Sequence, residues 1–403
     1  MIENSKLLIS HPTGNTFVRA LLQECEKQDL LAKFFTTVGK GENSNYLLKK
    51  ILNRRSYTIP DEKVCSQWFP EIWRLLLGKY KSQEKRKYET DRSYELLDKK
   101  VSKNLDKLNI SSIHAYEDGA AHTFSRAKEL GIRCSYELPI AHWGTVRRLL
   151  AEEAERYPEW IPTLDSIDEN EEKLHRKELE LELADCISCP SEFVLQSIPK
   201  SILNSKPCQV SNFGSPFSQN NSTIRLENKK ILKILFVGSM TQRKGLADLF
   251  TALRILKTDK LSLTIIGQPL KPINFYRNQC YDFEHIRSCS NEKVKSTMRE
   301  HDILVLPSIV EGCALVQQEA LSCGLPLLIT RNTGGEELID NQKTGFIVPI
   351  REPNMIAEKI EWFIDNIEDI HLMKSYCIKK SKDYSWSKYA QNLISFLNNQ
   401  QEY

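Results

Sequence analysis

Two glutamates, Glu311 and Glu319, stand in the run VLPSIVEGCALVQQEALSCGLPLLIT with seven residues between them. The run reads as a buried strand over Ile303–Leu306, a Pro/Ser/Gly loop, an amphipathic helix from Cys313 to Ser322 that stops at Gly324, and a second buried strand over Pro326–Ile329. Glu311 then precedes the helix and Glu319 lies two turns along it, about 10 Å away at a rise of ~1.5 Å per residue. At that spacing one carboxylate can take the hydroxyls of a sugar and the other those of a ribose. A diphosphate between them would lie at the helix N-terminus, where free N–H groups and the helix dipole favour negative charge.

The loop GSMTQRKG, 238–245, joins a buried strand to a helix. Its end glycines permit tight turning and close backbone approach, and Arg243 and Lys244 stand where the helix start already favours an anion. An isolated Arg-Lys pair would read as a solvated basic turn. Its place after a strand, in the same half of the chain as the glutamates, makes a diphosphate clamp the better reading.

These loops need elements to hold them. In the first half, strands are expected at Lys6–Ser10, Phe34–Val38, Ser112–Tyr116, Arg133–Leu138 and Cys186–Cys189. Helices are expected from Gly14–Asn15 to about Glu26 and over Ala121–Leu130, with a helical insertion over about 60–110. A fresh series follows: strands at 234–238, 263–267 and 303–306, and a helix over Leu246–Leu256. Nearly all-apolar strands alternating with helices imply parallel sheets covered on both faces. The expected architecture is α/β with two doubly wound, Rossmann-like domains, 1–214 and 231–385, joined by a polar linker over 215–230. The helix over 386–403 is expected to pack back on the first domain. Ligands of such folds lie beyond the carboxyl ends of the strands, so the polar loops should converge on one cleft.

The whole chain sets bounds on this. Its 403 residues suit two domains, and 40% hydrophobic with 27% charged residues is an ordinary globular composition. A formal net charge of +3 does not argue for nucleic acid. MIENSKLLISHP does not read as a signal peptide, and no stretch approaches the roughly 18 apolar residues of a membrane span. Eleven cysteines, with one C-x-x-C pair at Cys186 and Cys189 and no histidine nearby, suit structural thiols in a reducing cytoplasm rather than a metal site. Lys79–Lys107 carries a basic excess that could dock on the inner face of an anionic membrane, although interleaved acidic residues favour a solvated face.

The loop at 238–245 together with EGCALVQQE resembles the retaining, nucleotide-sugar-dependent glycosyltransferases of family 4, which have the GT-B fold. SCPSEF (188–193), VLPS (305–308), TGGEELI (333–339), KTGFIVP (343–349) and YSWSKYA (384–390) agree in order. The resemblance covers about residues 185–395. It implies a nucleotide-sugar donor, a hydroxyl acceptor and no cofactor or metal, and no D-x-D pair stands in a suitable loop. By the same resemblance Arg243 and Lys244 contact the donor diphosphate, Glu311 sits beside the donor sugar and Glu319 takes the ribose hydroxyls. Gly238, Gly312 and the backbone amides of Cys313, Ala314 and Leu315 face the diphosphate or sugar, and Gly14, with Asn15 beside it, faces it from the other domain.

Two positions depart from the family pattern. Ser239 replaces the arginine often found after the glycine corresponding to Gly238. Glu137 stands at a strand end where the family tends to have a histidine, with His142 five residues on. Glu137, His142, His114 and Glu117 are therefore candidates for the sugar or acceptor side, while Glu137 reads equally as an ionised structural pair with a neighbouring arginine and His114 as a satisfied strand-end histidine. Two rival readings stay open: a sugar-nucleotide epimerase on the same fold, and a non-catalytic nucleotide-sugar-binding subunit.

Overall fold

The structure is a computed structural model and describes residues 6–42, 55–68, 71, 74, 83–164, 169–216, 231–279 and 282–399. Nearly all of the expected linker and much of the expected helical insertion lie outside these residues. Two parallel sheets organise the chain, as the alternation of strands and helices implies. The first has the strand order β3-β2-β1-β4-β5-β6-β7, from β1 (Leu7–Ser10), β2 (Leu31–Thr36), β3 (Val64–Ser66), β4 (Ser112–Tyr116), β5 (Arg133–Glu137), β6 (Cys186–Cys189) and β7 (Cys208–Val210). The second runs β10-β9-β8-β11-β12-β13, from β8 (Leu232–Val237), β9 (Leu261–Ile266), β10 (Glu284–Ile286), β11 (Ile303–Leu306), β12 (Leu327–Thr330) and β13 (Gly345–Val348). Strand order reverses between β1 and β4 in one sheet and between β8 and β11 in the other. Chains leave those neighbours in opposite directions, which opens a crevice at each point.

The strands are apolar because both faces are covered. Ile303, Leu304, Val305 and Leu306 are all buried, as are Leu327, Leu328 and Ile329 beside them. Cys186 and Cys189 sit three apart on β6 and so point to opposite faces, one into each of two core clusters. Two elements start elsewhere than expected. β2 begins at Leu31 because Leu31 pairs with Leu7 in the parallel ladder, and it ends at Thr36. The helix after Glu311 begins at Val316, not Cys313, because the residues before it are drawn away. The Gly312 carbonyl accepts the Ser191 hydroxyl at 2.6 Å and the Ala314 N–H donates to the Thr333 carbonyl at 3.2 Å.

The two sheets are tied together at several places. The helix Trp386–Asn399 packs on Thr16–Lys27 of the first domain, burying Tyr389, Leu393 and Leu397 against Leu7, Phe17 and Leu21. A strap between β5 and β6 crosses the other way. Its helix Trp143–Arg156 and the 3-10 turn Pro158–Thr163 lie on the second domain, and the helix Glu171–Leu183 returns to the first. Trp160 is wholly buried in the second domain's core, against Phe250, Phe275 and Tyr276. Val146, Leu149 and Leu150 of the strap close over Ile309 and Val310, the two residues before Glu311. Burial of such side chains contributes roughly 1.5–3 kcal/mol each, enough to make the strap part of both domains.

Candidate functional site

The loop after β8 and the loop after β11 flank the second sheet's switch point and hold each other. The Arg243 carbonyl accepts the Ile309 N–H at 2.9 Å. Gly245 has φ +73°, and a Cβ there would fall 1.9 Å from the Pro307 carbonyl oxygen, so only glycine lets the two loops meet. Between them one carboxylate oxygen gathers two cations. Glu311 Oε1 lies 2.9 Å from Arg243 Nη1 and 2.6 Å from Lys244 Nζ, and Arg243 also donates to the Val310 carbonyl at 3.1 Å. Burial pulls the Lys244 ammonium below the ordinary lysine value, and the Glu311 charge only partly offsets this. Gly238 leaves the space along which the Lys244 methylenes lie.

Arg243, Glu311, Gly312 and Cys313 form one side of a cavity of about 440 Å³. The other side is the first domain: Tyr116 at the end of β4, Glu117 and Asp118 after it, the turn Pro139–Ala141 after β5, and Trp143 and Lys177 of the strap. The domains touch at its floor. A Cβ on Gly312 would lie 1.7 Å from the Pro139 carbonyl oxygen, so the contact is backbone against backbone. Glu117 is buried against Lys177, with 3.3 Å between Oε1 and Nζ, and burial pushes its carboxyl up to about 7.

Other sequence-derived candidates are placed differently. Glu319 stands apart from the cavity lining on the helix Val316–Ser322 and accepts the Asn291 side-chain amide at 2.8 Å. Gly14 and Asn15 open the helix Thr16–Lys27 above β1. There the Gly14 carbonyl accepts Arg19 Nε at 2.9 Å, and the exposed Asn15 makes no side-chain cap. His114 and Glu137 are buried and are not among the residues that line this cavity. The His114 ring spans Ser135 Oγ at 3.0 Å and Glu137 Oε2 at 3.3 Å, and Tyr389, on the returning helix, lies beside Glu137. His142 is the N-cap of the strap helix: Nδ1 accepts the Gly144 N–H at 3.2 Å and Nε2 meets Glu178 at 3.1 Å, so it too is committed. Of the backbone amides expected to face an anion, that of Ala314 is already donated to Thr333.

The comparisons with known proteins bear on the second half. Residues 218–401 match the family Glycosyl transferases group 1. An uncharacterized glycosyltransferase of Methanocaldococcus jannaschii is 31% identical over 156 residues, which is 38% of this chain and 44% of that one. The putative colanic acid biosynthesis glycosyltransferase WcaL of Escherichia coli is 26% identical over 182 residues, 41% of this chain and 45% of its own. The match thus spans less than half the length of these relatives. Solved structures match throughout. A sucrose-phosphate synthase from Thermosynechococcus elongatus has TM-score 0.67 at 16% identity over 98% of both chains. Anabaena HepE in complex with UDP has TM-score 0.62 at 14% identity over 98% of this chain and 100% of its own. At such identities the likeness is one of fold, and the fold is GT-B.

The second half also carries a residue that motif reading passes over. Gln242 precedes the two cations and is wholly buried. Its amide Nε2 donates to Glu153 at 2.6 Å and to Asp248 at 3.0 Å, its Oε1 accepts the Ala247 N–H at 2.9 Å, and its own N–H reaches Thr163 Oγ1 at 3.2 Å. Glu153 and Thr163 belong to the strap, and Glu153 also binds Arg156 and Arg351. The turn bearing Arg243 and Lys244 is therefore set by the first domain. Helical spacing gave a usable signal for Lys173 and Lys177, four apart on one face of the strap.

Proposed function

We propose that the protein is a retaining glycosyltransferase that moves a sugar from a nucleoside diphosphate sugar to a hydroxyl acceptor. The observation that carries this reading is the meeting of Arg243 and Lys244 on one oxygen of Glu311, at the switch point of the group 1 half and on the wall of an interdomain cavity.

In this reading Arg243 and Lys244 hold the donor diphosphate, Glu311 stands beside the donor sugar, and Glu319 takes the ribose. As the bond from the sugar to phosphate breaks, negative charge grows on the departing oxygen, and two fixed cations stabilise it. The acceptor oxygen attacks from the face the diphosphate leaves, so configuration is retained, and its proton passes to the departing phosphate oxygen. Because the chain supplies both cations and has no D-x-D pair in a strand-end loop, we read the transfer as metal-independent.

Calorimetry with UDP, GDP and ADP, followed by product analysis with the matching nucleotide sugars and an acceptor panel, tests this. One nucleotide should bind, and Lys244→Ala or Arg243→Ala should weaken it by at least roughly tenfold, the value of about 1.4 kcal/mol. Unchanged binding in both variants would remove the site, and a product still attached to its nucleotide would replace transfer with epimerisation.

A further inference from the structure

The cavity's first-domain wall is built from charges that neutralise one another. Glu117 and Asp118 follow β4 at the switch point of the first sheet, and the strap brings Lys173 and Lys177 onto them. Lys177 Nζ lies 3.3 Å from Glu117 Oε1 and 3.7 Å from both Asp118 Oδ1 and Glu169 Oε2. Lys173 Nζ lies 3.1 Å from Asp118 Oδ2 and 3.0 Å from Glu169 Oε1. Two ammonium groups are thus shared among three carboxylates. Asp118 has φ +68°, a left-handed turn conformation that aspartate adopts more readily than most side chains. Among the described residues its Oδ1 accepts no hydrogen bond. Tyr94 and Trp143 line the same space, and the Trp143 indole is held by a hydrogen bond to Glu178.

We propose that this wall is the acceptor subsite and that it takes an uncharged sugar unit, not a sugar phosphate. The inference rests on the glycosyltransferase reading and adds the acceptor's chemical class. A phosphate monoester carries a charge of roughly −1.5 to −2 near neutral pH. Here it would meet lysines already paired with carboxylates, and Arg147, the further cation on the strap's lining, is paired with Glu171. Sugar hydroxyls each donate one hydrogen bond and accept others, which suits a wall of ionised acceptors. The Glu117 carboxyl, pushed up to about 7 by burial, can also donate near neutral pH. Rigid aromatic faces give the ring's apolar side a surface, and about 440 Å³ falls within the usual range for small-ligand pockets.

The test titrates the full chain, with and without saturating UDP, GDP or ADP, using methyl glucoside, methyl mannoside, methyl galactoside, maltose and lactose against glucose 6-phosphate and fructose 6-phosphate. At least one neutral sugar should bind roughly tenfold more tightly than either phosphate. Trp143→Ala and the isosteric Asp118→Asn should each weaken it severalfold with nucleotide affinity unchanged. Glu117→Gln combined with Glu169→Gln frees the lysines and should raise affinity for the sugar phosphates. Tighter binding of the phosphates in the parent, no binding of any neutral sugar, or unchanged sugar affinity in folded Asp118→Asn and Trp143→Ala would overturn the proposal. Failure of every nucleotide to bind would sink the donor reading instead, and the sugar titration without nucleotide would still decide the wall.

Discussion

Replacing Glu311 with glutamine separates its two effects on the donor. The carboxylate holds Arg243 and Lys244 through one oxygen, at 2.9 and 2.6 Å. A phosphate meeting Lys244 from its far side would sit about 5.5 Å from that oxygen, one more charge-assisted contact away. At an effective dielectric constant of about 20, two unit charges at that separation repel by roughly 3 kcal/mol. The Arg243 side chain is 23% exposed, so water reaches the cluster, and we halve the figure for screening. Glu311→Gln should then tighten binding of the free nucleoside diphosphate by about 1.5 kcal/mol, roughly tenfold in Kd. Turnover should fall by about a hundredfold, because the charge beside the reacting sugar is lost. Calorimetry with UDP and GDP, paired with initial rates of nucleotide release, reads both effects. A Kd weakened threefold or more, or an unchanged kcat, would refute the argument that Glu311 competes with the diphosphate for the cations.

Three further outcomes follow from the geometry. Gly312→Ala forces a Cβ into the Pro139 carbonyl, 1.7 Å away, so the domains must part there, and turnover should drop by about a hundredfold as the cavity loses register. A variant with parental kinetics would show that this contact is dispensable. Glu153→Gln removes a buried charge bound to Arg156 and Arg351 and should cost about 3 kcal/mol, the low end for a broken buried pair because both arginines keep some water. Its Tm should fall by several degrees and UDP binding should weaken through Gln242, whereas a melt within about a degree of the parent counts against the strap. Burial pushes the Glu337 carboxyl up to about 7 from 4.5. A carboxyl raised in the folded chain lends stability that is fully present below about 4.5 and lost as pH rises through about 7. Glu337→Gln should therefore melt higher than the parent at about pH 8 and flatten the decline between those values, and identical pH profiles would refute the shift.

Motifs with a local mechanism could be read directly. A glycine-framed loop after an apolar strand has few uses, and the Gly-Ser-Met-Thr-Gln-Arg-Lys-Gly loop lies at the switch point of the second sheet. The partners of the first-domain candidates could not be read in the same way. Glu137, His114 and His142 are strand-end or helix-start residues of a kind that often faces a cleft, but each has a partner brought from far along the chain: Tyr389 beside Glu137, Glu137 itself for His114, and Glu178 for His142. The start of the helix at Val316 was likewise set by Ser191 and Thr333, which no window around Glu311 contains.

The order of strands and helices, the parallel character of both sheets and the pairing of a basic loop with Glu311 were determined by the sequence alone. Period, apolar runs and turn residues act over a few positions and carry their own meaning. Which groups share the cavity was decided by the tertiary structure. Hydrogen bonds and ion pairs act over a few ångströms, and only folding brings Glu153 to Gln242, Pro139 to Gly312, and Lys177 to Glu117.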